Sequence, residues 1–128
     1  MTRRDRHARL LGFLVVWMLA GAWTSPAAAP TFHIMIDSGS PYYDPAAATV
    51  AAGTPIQWDN PTPSHHTVTH DGCRNEEGPC LFDSGSVPPN GTFTLPGLPP
   101  GHYPYQCTLH PIMRGLLIVT EPEHSSRT

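Results

Sequence analysis

The sequence predicts an all-β domain, a sandwich or barrel of short strands, behind an N-terminal export signal. Proline or glycine interrupts the chain about every 8 to 12 residues after the leader, and the whole chain has 16 prolines. No apolar pattern of helical period and useful length occurs in this part. Short apolar or alternating runs at this spacing are typical of β-sandwiches and barrels. The predicted strands are Phe32–Ile36, Ala48–Ala52, Pro55–Trp58, His66–His70, Thr92–Leu95, His102–Gln106 and Gly115–Thr120.

Two segments between these strands are predicted to be loops. Ser38–Pro45 carries Gly, Ser, two prolines and the pair Tyr42 and Tyr43, which we expect to be solvated. Asp71–Asn90 is longer and more polar. Trp58 lies at a strand end and is expected in the core, because an aromatic side chain there usually packs.

Residues 1–29 are predicted to be a signal peptide. Four arginines precede the uncharged apolar run Leu10–Ala22, and small residues follow up to Ala29. This order of basic, apolar and small segments is typical of a secretory signal. The apolar run is shorter than the roughly 20 residues that a membrane-spanning helix needs. We therefore expect cleavage near residues 22–29, a periplasmic or secreted protein and no stable membrane insertion, with an uncleaved N-terminal anchor as the alternative.

The leader is followed by one predicted domain, residues 30–122, and by a polar tail, residues 123–128. From Ala28 onward three arginines stand against nine acidic residues, which gives a net charge of −6, and the chain has no lysine. Such a surface repels phosphate backbones, so nucleic acid is excluded as a partner and a basic protein is favoured. A domain this small gains from a metal or a disulfide.

A metal-binding pattern lies between the last two predicted strands. Cys107, His110 and Met113 stand at i, i+3 and i+6, so one tight loop carries all three side chains. A thiolate and an imidazole, completed by a second imidazole, form the trigonal His₂Cys set of type 1 copper, and a methionine thioether supplies the weak axial contact. Pro111 restricts the backbone between two of the ligands and stiffens the loop. The pattern predicts one copper ion that alternates between Cu(I) and Cu(II).

The second histidine is expected from upstream, and we predict His66. It begins an alternating run and shares a strand face with the apolar Val68. His65 would face outward or lie in the preceding turn. His70 shares the face of His66 but lies about 7 Å further along the strand, so we interpret it as a surface or loop histidine. The extra histidine leaves His65 as the alternative ligand.

From about Phe32 to Thr120 the chain resembles the plastocyanin/amicyanin-like cupredoxins. The two-residue gap between His110 and Met113 is similar to amicyanin, whereas plastocyanin and pseudoazurin have a longer final gap. The resemblance implies an eight-stranded Greek-key sandwich with four copper ligands. It also implies that His110 reaches the surface within an apolar patch on which redox partners dock. The matching segments are Val50–Asn60, Pro63–Val68, Phe82–Gly85 and Gly101–Gly115, and the implied ligands are His66, Cys107, His110 and Met113.

The chain departs from this family pattern directly after the first ligand. Many members have an asparagine there that ties the two ligand loops together, and this chain has Thr67. We expect the threonine hydroxyl to make a similar bond behind the ligands.

Three cysteines in an exported chain need an explanation. With Cys107 assigned to copper, Cys73 and Cys80 remain as a pair, with Gly78 and Pro79 between them. We predict a disulfide, consistent with an oxidising compartment. The alternative is that both thiols bind metal, with His70 nearby.

The predicted function is single-electron transfer by a blue-copper protein, expected to be a monomer and not an enzyme. Nitrite reductases and multicopper oxidases need several such domains and histidines beside the ligand cysteine. Gln106 and Thr108 flank Cys107 instead, and the chain is long enough for only one domain. The alternative is a periplasmic protein that binds or delivers copper without transferring electrons.

Overall fold

The computed structural model describes residues 20–23, 29–76 and 78–122. Most of the predicted leader and the whole of the tail at 123–128 lie outside these residues. Within the described part, no helix has the length and apolar character needed to cross a bilayer.

The described chain folds almost entirely into strands, so the all-β prediction is confirmed. One short 3₁₀ turn, Asp71–Cys73, is the helical element within these residues. The strands are β1 (Phe32–Ile36), β2 (Tyr43–Asp44), β3 (Ala47–Ala51), β4 (Ile56–Asp59), β5 (Thr69–His70), β6 (Thr92–Leu95), β7 (Gly101–Gln106) and β8 (Arg114–Thr120).

The eight strands form two four-stranded sheets. The first has the order β2-β1-β4-β6 and the second the order β3-β8-β7-β5. Strand β1 runs parallel to β4, and β3 runs parallel to β8, whereas the other pairs are antiparallel. The sheet order places β7 between β8 and β5, so the loop after β7 emerges beside the segment that leads into β5. This arrangement positions the site described below.

Side chains from both sheets share one core, in which Trp58 is fully buried as predicted. Its indole Nε1–H donates to the hydroxyl of Tyr105 at 3.2 Å. The two rings meet edge to face with centroids 5.5 Å apart, a favoured geometry for aromatic pairs. Because Trp58 lies on β4 and Tyr105 on β7, this contact joins the two sheets.

The prediction that both tyrosines of Ser38–Pro45 are solvated is wrong for Tyr43. That residue is fully buried and begins β2, which pairs with β1 inside the predicted loop. Its hydroxyl donates to the carbonyl of Thr67 at 2.7 Å, and its ring lies 4.8 Å from that of Tyr105. Burial is tolerated because the phenol has both a hydrogen-bond acceptor and an aromatic neighbour. Burial also raises the pKa of Tyr43, with further contributions from Cys107 and Tyr105.

The interpretation of His70 as a surface or loop histidine is also wrong. His70 lies on β5 and is buried, with its ring against Phe82 and Tyr103. Its Nδ1 accepts the backbone N–H groups of Gly72, at 3.2 Å, and Leu81, at 3.4 Å. The imidazole therefore joins the two ends of the loop that Cys73 and Cys80 close.

Cys73 and Cys80 are joined by a disulfide in the structure. The bonded pair encloses the segment that begins at the 3₁₀ turn after β5. His70 therefore meets a covalently closed loop rather than a pair of metal-binding thiols.

Candidate metal centre

The loop at 107–113 is held in shape by its own backbone. The N–H of Cys107 donates to the carbonyl of Met113 at 3.1 Å, and the N–H of Met113 donates to the carbonyl of His110 at 2.9 Å. These bonds bring the first and last residues of the loop together at the ends of β7 and β8. Cys107 and Met113 are buried there, while His110 is exposed.

His66, Cys107 and His110 converge at this point, as the sequence predicted. Within the described residues they form one group whose potential ligand atoms all lie within 4.8 Å of one another. The Sγ of Cys107 is 3.6 Å from Nδ1 of His110 and 4.0 Å from Nδ1 of His66. The two imidazole rings are 5.0 Å apart between centroids.

These separations fit a single first-row metal ion. Bonds of about 2.0 Å to nitrogen and 2.3 Å to sulfur are typical for zinc, a neighbouring first-row ion. In a trigonal plane such lengths place nitrogen and sulfur about 3.7 Å apart. Two imidazoles and one thiolate are also the donor set expected for type 1 copper. The residues therefore fit the predicted ion by both spacing and chemistry.

Met113 lies beside the same cluster. Its side chain is 2 % exposed and lines a cavity of about 160 Å³ together with both imidazoles. The cavity is lined by Ser38, Tyr42, Ser64, His66, His110, Ile112 and Met113. A thioether is thus available in the cavity that both imidazoles line.

His65 stays outside the cluster. Its side chain is exposed, and its Nδ1 lies 2.9 Å from the hydroxyl of Ser86. His66, in contrast, is 3 % exposed. The pKa of His66 is lowered, first by burial and then by the neighbouring His110 and His65. A lowered pKa favours the neutral imidazole, which is the form that binds a metal.

Thr67 ties the two parts of the site together, as expected from its place after His66. Its backbone N–H donates to the Sγ of Cys107 at 3.3 Å. Its hydroxyl oxygen accepts the N–H of Thr108 at 2.8 Å, and that hydroxyl also meets the hydroxyl of Thr69 at 2.9 Å. The threonine thus connects the upstream segment to the Cys107 sulfur and to the residue that follows it.

Replacing Thr67 with valine should lower the free energy of unfolding of the metal-free protein by about 1–3 kcal/mol, since the Thr108 N–H would lose its acceptor in a partly buried site. Urea denaturation measures the change. Thr67→Ser keeps the hydroxyl and removes only one buried methyl group, so its loss should be smaller, about 0.8 kcal/mol. Equal stability of the valine and serine variants would contradict this role.

Sequence reasoning missed one polar contact of the site. The Nε2 of His66 lies 2.9 Å from the hydroxyl of Thr62, and both side chains are buried. Thr62 lies in the proline-rich turn before the histidine, a position that suggests only a turn. No local pattern indicated this contact.

Comparisons with known proteins agree with this fold. A family model described as "Cupredoxin-like domain" matches residues 10–119. Among solved structures, a reduced Cu(I) form at pH 4 of a proline-to-glycine mutant of amicyanin is 23 % identical with a TM-score of 0.61, covering 74 % of this chain and 87 % of that chain.

A purple cupredoxin from Nitrosopumilus maritimus is 25 % identical, with a TM-score of 0.58 and coverage of 70 % of this chain and 99 % of that chain. A Cu(I) form of a methionine-to-alanine mutant of amicyanin is 22 % identical, with a TM-score of 0.60 and coverage of 74 % of this chain and 95 % of that chain. The family model spans the loop between β7 and β8 and all eight strands except the last residue of β8. The chain belongs to the cupredoxin-like family.

Proposed function

We propose that this protein is a type 1 copper protein that carries single electrons between redox partners outside the cytoplasm. His66 and His110 would hold one copper ion through their imidazoles, Cys107 through its thiolate and Met113 through its thioether. The approach of the Cys107 sulfur to 3.6 and 4.0 Å from two imidazole nitrogens is the observation that supports this most. Copper bound there supplies a one-electron Cu(I)/Cu(II) couple.

The protein would hold that ion among buried donor atoms whose motion is restricted. His66, Cys107 and Met113 are each at most 3 % exposed. Backbone bonds within the loop and the Thr67 contacts restrict the motion of the donor atoms. A site that holds its geometry in both oxidation states needs little rearrangement when an electron arrives or leaves, which favours transfer over chemical conversion. We therefore propose a carrier and not an enzyme.

The surface around His110 supports electron exchange with other proteins. His110 is the exposed member of the cluster, and its loop neighbours Leu109 and Ile112 are 54 % and 72 % exposed. Exposed apolar side chains grouped at one place are typical of a protein contact site. We propose that redox partners dock here, and that the protein is otherwise a monomer.

We also propose export to the periplasm or the exterior, with residues 30–122 as the functional domain. The disulfide between Cys73 and Cys80 supports this, because such bonds persist in oxidising compartments. The basic and apolar leader predicted at residues 1–29 supports it as well.

An absorption spectrum of the Cu(II) protein tests the proposed site. We expect an intense thiolate-to-copper band in the red, because a short bond to a cysteine thiolate is the defining feature of type 1 copper. Cys107→Ser should remove this band, while the Cys73→Ser, Cys80→Ser double variant should keep it. A colourless Cu(II) complex of the wild type would contradict the proposal.

A second measurement separates an electron carrier from a protein that delivers copper. A carrier should be reduced and reoxidised reversibly at an electrode and should keep its copper when a Cu(I) chelator is added. A delivery protein should instead pass its Cu(I) to the chelator within minutes and show no reversible couple.

A further inference from the structure

The buried side-chain amide of Asn60 is linked to His66 by two successive hydrogen bonds, through the side chain of Thr62. Asn60 is 1 % exposed, and its Nδ2 faces three backbone carbonyls. The two hydrogens of Nδ2 are shared among the carbonyls of Ser64 at 2.9 Å, Val87 at 3.0 Å and Pro88 at 3.1 Å. Asn60 therefore connects the turn before His66, by hydrogen bonds, to the segment that follows the disulfide loop.

The orientation of this amide is determined by its surroundings. Its Oδ1 accepts the backbone N–H of Thr62 at 3.1 Å and the hydroxyl of Thr62 at 2.7 Å. Exchanging oxygen and nitrogen would set Oδ1 against three carbonyl oxygens and turn Nδ2 towards another N–H. Both changes leave buried polar groups unpaired, which is costly. Oδ1 of Asn60 must therefore face Thr62.

That orientation fixes the direction of the next bond. The Thr62 hydroxyl has a single hydrogen, and the oxygens of Asn60 and Ser64 that surround it can only accept. Once the hydrogen is used there, Thr62 can offer only a lone pair to Nε2 of His66, at 2.9 Å. Nε2 must then be the donor. A neutral imidazole with its proton on Nε2 has a free lone pair on Nδ1, the atom that lies 4.0 Å from the Cys107 sulfur.

We propose that Asn60 and Thr62 are positioning residues that hold His66 as the Nε2–H tautomer and present its Nδ1 lone pair to copper. The inference rests on the proposed copper site and adds the groups that prepare one of its ligands. Hydrogen bonds to the second nitrogen of a ligating histidine set its tautomer and ring orientation. Among the described residues, His110 has Cys107 as its one hydrogen-bond partner, so such preparation is specific to the buried ligand.

The tautomer can be measured in the metal-free protein by ¹⁵N NMR of the imidazole nitrogens. In the wild type we expect the Nε2 proton of His66 to be observed, with the shift pattern of the Nε2–H tautomer. Thr62→Val keeps the shape of the side chain but removes the acceptor, so the Nδ1–H form should become populated. Thr62→Ser restores the hydroxyl and should restore the wild-type pattern.

The inference is overturned if the proton lies on Nδ1 in the wild type, or if the folded valine variant has the same ¹⁵N shifts as the wild type. Should Thr62→Val not fold, the wild-type measurement and a Thr62→Ala variant decide between the same two outcomes. None of these measurements uses copper, so the result is independent of whether the proposed electron carrier is confirmed.

Copper affinity provides the second test. Thr62→Val should weaken Cu(I) binding about 10- to 100-fold, the effect typical of losing a hydrogen-bond partner of a metal ligand. Thr62→Ser keeps the hydroxyl that contacts His66, so its Cu(I) affinity should stay within about 3-fold of the wild type. Wild-type affinity in a folded Thr62→Val variant would show that the hydroxyl does not position His66.

Discussion

Replacing His66 with alanine should abolish the red absorption band that we propose for the Cu(II) protein. His66 supplies one of the two imidazole nitrogens near the Cys107 sulfur, and without it the trigonal donor set is incomplete. The loss of Cu(I) affinity should exceed the roughly 10- to 100-fold that loss of a partner behind a ligand costs. Absorption spectroscopy and competition with a Cu(I) chelator measure the two effects.

His65 offers a matched control, because it is the adjacent residue and has the same side chain. It is exposed, and its contact with Ser86 at 2.9 Å leads away from the cluster. His65→Ala should therefore keep the band and the affinity of the wild type. If His65→Ala removed the band and His66→Ala preserved it, the proposed ligand set would be wrong by one residue.

The proximity of the residues in the loop at 107–113 could be predicted from sequence because the information is local. Cys107, His110 and Met113 stand on one short loop between two strands, and the backbone bonds at the ends of that loop bring them together. Nothing distant in the chain was needed to infer that they would be neighbours. Strands β1 and β6 were predicted with their observed bounds for the same reason, since their apolar pattern and flanking turns are adjacent in sequence.

The choice of His66 depended on a weaker argument. We predicted an alternating strand over His66–His70, but all five residues are buried, and the ladder with β7 includes only Thr69 and His70. His66 itself pairs with Val87 as an isolated bridge. Both faces of this segment are covered, because the ligand loop lies on one side and the core on the other. The exposed position of His65 distinguishes the two histidines better than strand phase does.

The failed predictions share a physical cause. Tyr43 and His70 are polar side chains in segments that looked like solvated loop or surface, yet both are buried. Each is buried because it has a distant hydrogen-bond partner, 24 residues away for Tyr43 and 11 residues away for one of the His70 bonds. Such partners come together only after the sheets assemble, so a local pattern carries no sign of them. The same holds for Asn60, whose acceptors Val87 and Pro88 are contributed by a separate segment.

Replacing Trp58 with alanine should have the largest effect on stability, a loss of about 3–5 kcal/mol in the free energy of unfolding of the metal-free protein. The indole is fully buried between the sheets. It meets Tyr105 edge to face at 5.5 Å and lies 5.7 Å from the ring of Phe93, so truncation leaves a cavity that these rings border. Urea denaturation followed by circular dichroism measures the loss.

Trp58→Phe separates the aromatic packing from the hydrogen bond. Phenylalanine keeps a ring between the sheets but removes the N–H that donates to the Tyr105 hydroxyl, so a loss of about 1–3 kcal/mol is expected. Because Tyr105 lies two residues before Cys107 and pairs with Gly115 of β8, the cavity in the alanine variant lies next to the strands that present the ligand loop. Equal losses for the two variants would mean that the hydrogen bond, and not the packed indole, joins the sheets.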